Sequence, residues 1–79
     1  MDLTEAELTI IQHLAKAGGT GNVMEFLKLD PAEFDKGFTI ANNMQNNDMV
    51  KLLYSSFNKN MVVVEITLVG YNAAKSSKL

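Results

Sequence analysis

Four places in this 79-residue chain hold residues whose types and spacing could do chemistry. His13 is the single histidine. It lies off the apolar stripe of its own segment, with no Cys, Ser or carboxylate at a spacing that implies a nucleophile–base pair. It reads as a solvated helix position. Asp30, Glu33 and Asp35 lie close together but lack the glycine and the ligand periodicity of a calcium loop. Helix capping accounts for them. Gly18-Gly19-Thr20-Gly21 lacks the GxxxxGK[ST] pattern and follows no strand, so it does not read as a phosphate cradle. Asn42-Asn43-Met44-Gln45-Asn46-Asn47 is richer: it is either a surface that reads base edges or a solvated helix end. No cluster of His, Cys or carboxylates has metal-ligand spacing. The expectation is a protein that binds a partner, with no catalytic centre, cofactor or metal.

The elements that must position these residues are written in a repeated grammar. Thr4-Glu5-Ala6-Glu7 is a capping box, and Leu3 and Leu8 form the matching hydrophobic staple. The helix it opens runs to about Ala17, with Leu8, Ile11, Leu14 and Ala15 as its stripe and Gly18 after its end. Asn22-Val23-Met24-Glu25 is a weaker box, opening a short helix from Val23 to Lys28. Asp30-Pro31-Ala32-Glu33 repeats the first box with Pro at the first helical position, stapled by Leu29 and Phe34. This third helix spans 31–46. Its apolar side is expected at Phe34, Phe38, Ala41 and Gln45, flanked by Gly37 and Met44. Ala32, Lys36, Thr39, Asn43 and Asn46 fall opposite, with Asp35 and Asn42 at the edge. Gly37, costly in mid-helix, is expected to admit a neighbouring helix.

After Asn47-Asp48 the period changes from helix to strand. Val50 to Tyr54 and Met61 to Ile66 read as two strands joined through Ser55 to Asn60. Val62, Val64 and Ile66 should face one way, Val63 and Glu65 the other. Thr67 either caps a final helix through Ser76 or lets the strand run on to Val69.

Hydrophobic residues make up 47% of the chain and charged ones 20%, enough apolar material for one domain over 1–79, with 1–3 and 77–79 expected to fray. There is no cysteine, which suits a reducing cytoplasm. The acidic start MDLTEAEL is not a secretory signal, and the apolar run Met61 to Val64 is too short to span a membrane. Ser77-Lys78-Leu79 matches a peroxisomal tripeptide, but a frayed polar tail is the better reading.

Helix, short helix, longer helix and hairpin together make an α+β arrangement that resembles the winged helix–turn–helix family. Gln45-Asn46-Asn47-Asp48-Met49-Val50 resembles the passage from recognition helix to wing. Ile66-Thr67-Leu68-Val69-Gly70 resembles the Leu-Thr-x-x-Gly signature that closes the wing in multiple-antibiotic-resistance-type and related small repressors. The resemblance implies duplex DNA as partner, read by the third helix and touched by the wing over 55–61. Carried over, the contact residues are Lys36, Thr39, Asn42, Asn43 and Asn46 on the helix and Asn58, Lys59 and Asn60 at the wing tip. It also implies a homodimer through segment 68–76, using Leu68, Tyr71, Ala73 and Ala74. Phe57 beside the turn either meets a partner or packs back onto the first helix.

Charge weighs on the other side. Net charge is −2 with pI about 5.2, and the chain has no arginine. Residues 1–48 carry three lysines against eight acids, and residues 49–79 four lysines against Glu65. Glu7, Glu25, Asp30 and Glu33 serve helix starts, where anions are favoured anyway. A small DNA-binding transcriptional regulator is the leading expectation. The alternative is the same fold serving as a protein–protein interaction module with little DNA affinity.

Overall fold

The computed structural model describes residues 3–55 and 60–76. Helix α1 (Glu5–Lys16) opens on the expected box: Thr4 Oγ1 accepts from the Glu7 amide at 3.1 Å, and Glu7 accepts from the Thr4 amide at 3.0 Å. It closes past Ala17 at Gly18, φ +85°, where the Gly19 amide donates to Leu14 O at 2.8 Å. Its buried face is Ile10, Ile11 and Leu14, with Leu8 and Ala15 half-buried beside them. Each such aliphatic side chain contributes about 1.5–3 kcal/mol by leaving water.

Strand β1 (Thr20–Asn22) follows, where a loop was expected. Helix α2 (Val23–Phe26) is shorter than the expected 23–28 and ends before Lys28, which takes φ +55°. A 3₁₀ turn (Pro31–Glu33) leads into helix α3 (Phe34–Asn46). The segment expected to be α-helical over 31–46 is therefore 3₁₀ in its first turn, a common way to begin a helix at a proline. The Glu33 carboxylate accepts from the Asp30 amide at 3.1 Å.

Strands β2 (Val50–Ser55) and β3 (Val62–Ile66) pair antiparallel, with Val50 opposite Ile66 and Ser55 opposite Val62. Leu53 is an extra residue in β2, a bulge between Leu52 and Tyr54. The expected two-stranded hairpin is in fact part of a three-stranded sheet in the order β1-β3-β2, with Thr20 opposite Glu65 and Asn22 opposite Val63. The third strand also bears on Val63. It lies outside the core cluster that takes in Val62, Val64 and Ile66, as the alternation implies, yet only 6% of it is exposed. As a residue of the central strand it stands between Asn22 and Tyr54, and these neighbours cover it. Helix α4 (Leu68–Ser76) settles the choice left open at Thr67 in favour of a helix.

The fold is thus α+β, four helices with a three-stranded antiparallel sheet. One core joins them: Ile10, Ile11 and Leu14 of α1, Val23 and Met24 of α2, Ala41 and Met44 of α3, and Met49, Val50, Val62, Val64 and Ile66. Among the described residues no helix is long and apolar enough to cross a membrane.

Candidate functional site

The outer side of α3 exists because its inner side is tightly held. The buried residues are Gly37, Ala41 and Met44, while Phe34, Phe38 and Gln45 are half-buried. The apolar stripe is therefore rotated from the expected Phe34–Phe38–Ala41–Gln45 line toward Gly37 and Met44. Gly37 is the cause. A Cβ there would lie 2.8 Å from Met24 Sδ and 3.1 Å from Leu29 Cδ1, so the bare backbone lets α2 and its following turn press close. Phe34 and Phe38 stack at 5.9 Å between centroids along the flank.

Three polar ties fix the ends of this arrangement. Gln45, near the C-terminus of α3, accepts from the Leu52 amide at 2.8 Å and so anchors the helix to β2. Asn22 Oδ1 accepts from the amides of Met24 at 3.1 Å and Val62 at 2.9 Å, and its Nδ2 donates to Asn60 O at 3.3 Å. One side chain thereby caps α2 and starts β3. The third tie is made by the Thr67-x-x-Gly70 segment.

The Thr67 hydroxyl donates toward the carbonyls of Asp48 and Met49, lying 2.9 Å from the latter, and accepts from the Gly70 amide at 3.1 Å. The Thr67 amide also donates to Met49 O, at 3.0 Å. Gly70 is buried, and a Cβ there would sit 2.2 Å from Met49 O. The first turn of α4 thus rests directly on the backbone that joins α3 to β2. Asp48 makes that turn at φ +62°, a conformation Asp tolerates better than most residues.

Against this scaffold, Lys36, Thr39, Asn42, Asn43 and Asn46 all lie exposed on one side of α3. Among the described residues, the side chains of these five make no hydrogen bond or ion pair. The structure therefore groups all five helix residues singled out from sequence. Of the three wing residues, Asn58 and Lys59 lie outside the described residues, as does Phe57. Asn60 is exposed, and its carbonyl is engaged by Asn22.

Cations are sparse around this surface. Lys36 is exposed on α3, beside the exposed Asp35. Lys51 on β2 stands directly opposite Glu65 on β3. Of the segment expected to form a dimer, Leu68 is 76% exposed, Val69 50% and Tyr71 39%, whereas Ala73 and Ala74 pack against the core. His13 is exposed on α1, its Nδ1 2.8 Å from Thr9 O and its ring 5.1 Å from Phe26. Among the described residues no group of three or more His, Asp or Glu side chains is placed to hold a metal ion.

Sequence reasoning missed Gln45, Asn22 and the purpose of Gly70 as the parts that position α3. Helical period alone puts Gln45 on the apolar stripe, and the capping pattern gives Asn22 no role beyond a cap. A signal was present for Gly70, in the Thr-x-x-Gly spacing, but the carbonyl it accommodates lies some twenty residues earlier in the chain. The chain matches no protein family, no curated protein and no solved structure.

Proposed function

We propose that this chain is a small DNA-binding regulator of transcription, built as a winged helix–turn–helix domain, that meets duplex DNA through α3 and the wing over 55–61. One observation carries the reading: five hydrogen-bonding side chains, Lys36, Thr39, Asn42, Asn43 and Asn46, stand exposed together on a firmly anchored helix, with no side-chain partner among the described residues. A major groove admits an α-helix, and base edges there are read by such groups. The succession α2, turn, α3 and antiparallel hairpin supports the same reading, since it is the order of elements that a winged helix uses.

The electrostatic contribution is small. Each phosphate neutralised adds about 0.9 to the slope of log affinity against log salt, and strongly salt-dependent binding takes six to ten contacts. With net charge −2, one copy reaches only a few phosphates. A homodimer through segment 68–76, buried over the exposed Leu68, Val69 and Tyr71, would double that number. The same apolar exposure, with the absence of arginine, favours the second reading: a protein–protein interaction module of the same fold.

NMR titration with random-sequence duplex at low salt separates the two. The DNA reading expects amide shifts confined to residues 36–46 and the wing, and loss of affinity in the Lys36→Ala, Asn43→Ala double variant. No shift at any salt, or full affinity in that variant, would remove α3 as a DNA-binding element.

A further inference from the structure

We infer that the exposed side of α3 selects A·T over G·C base pairs, an inference that rests on the DNA reading above. An Asn amide presents one donor and one acceptor side by side. Adenine shows the complementary pair in the major groove, the N7 acceptor beside the N6 donor. Guanine shows two acceptors there, N7 and O6, and so demands two adjacent donors. Against guanine an Asn satisfies one acceptor and sets its own carbonyl against the other.

The group that reads guanine best is the arginine fork, and this chain contains no arginine. Three of the five exposed residues on the α3 side are Asn42, Asn43 and Asn46. A fourth, Thr39, brings a methyl group suited to the thymine C5-methyl. Lys36 is the one member with guanine chemistry, and it stands nearest the N-terminus of the helix.

Geometry allows these groups to act together. From Thr39 to Asn46 the helix rises about 10 Å, at 1.5 Å per residue. That is about three steps of a duplex at 3.4 Å each. None of the four side chains is held by a hydrogen bond to another described residue, so none must break such a bond to reach a base. Gln45 is the instructive contrast. Its amide oxygen is already taken by the Leu52 amide, so that side chain is a strut and not a reader. Because few phosphates are reached, the base term is a larger share of affinity than in a basic protein.

The test is fluorescence anisotropy at low salt with the full chain and duplexes of equal length. One duplex is wholly A·T, one wholly G·C, and a third is the A·T duplex with 7-deazaadenine in place of adenine. That replacement deletes the N7 acceptor and leaves the minor groove unchanged. The A·T duplex should bind about tenfold tighter than the G·C duplex. The preference should shrink with 7-deazaadenine and in the Asn43→Ala, Asn46→Ala variant, whose melting curve checks that it is folded. Equal affinity for A·T and G·C overturns the inference and leaves the DNA reading standing. A preference left undiminished by both 7-deazaadenine and the Asn43→Ala, Asn46→Ala variant also overturns it, since groove shape would then be the cause. No binding to any duplex overturns the DNA reading itself.

Discussion

Two sets of polar side chains in this protein have opposite fates. Asn22 and Gln45 accept from the backbone of β3 and β2, and Thr67 donates to the backbone of the α3–β2 turn, so each ties its own element to another. Thr39, Asn42, Asn43 and Asn46 have no such partner among the described residues. The residue types are nearly the same, yet the first set holds the architecture and the second is free to meet a partner. The first three are half-buried, and an amide or hydroxyl so placed stabilises by satisfying backbone groups that water reaches poorly. An exposed one trades one water for another and contributes little.

The largest expected effect tests the first set through the residue that lets Thr67 close. Gly70→Ala gains helix propensity of about 1 kcal/mol. It also drives a Cβ to 2.2 Å from a backbone carbonyl at Met49, which cannot swing aside as a side chain could. Overpacking of this kind costs about 3 kcal/mol, so the clash wins. Thermal unfolding should fall by roughly 10 °C or more, at about 4–8 °C per kcal/mol for a domain of this size. An unchanged melting temperature would mean that α4 does not rest on the α3–β2 turn.

A smaller effect is expected at Asn22. Asn22→Ala removes the acceptor for two backbone amides and should cost about 2 kcal/mol. Asn22→Asp keeps both acceptor bonds and loses the donor to Asn60, so it should recover most of the loss. Equal destabilisation by the two changes would show that the Oδ1 contacts do not hold β3 to α2.

The smallest effect belongs to the second set. Asn43→Ala and Asn46→Ala should each leave stability within about 0.5 kcal/mol, as surface changes do. Denaturant unfolding measures this directly. A loss above about 1 kcal/mol would place these side chains in the scaffold and erase the contrast between the two sets.

Much of the local structure was legible because its causes are local. Thr4 and Glu7 satisfy each other within one turn, and Pro31 suits a first helical turn whatever lies elsewhere. The alternation of β-branched residues over 62–66 needs no distant partner to be read. The exposed α3 residues were legible for a similar reason, since helical period alone groups Lys36, Thr39, Asn43 and Asn46. The α3 stripe was read only in part, because its centre depends on how closely Met24 and Leu29 approach Gly37.

By itself, then, the chain determines where helices start, where the period turns to strand and which polar groups share the outer side of α3. Only the tertiary structure decided that Thr20–Asn22 becomes a strand, that Val63 is covered, and that Thr67 opens α4 rather than prolonging β3. Each of those outcomes depends on a partner 18 to 45 residues distant, such as Glu65 for Thr20 or Met49 for Thr67. Capping and periodicity act within one or two turns. A short strand or a close backbone contact gains its free energy only once the whole fold brings that distant partner alongside.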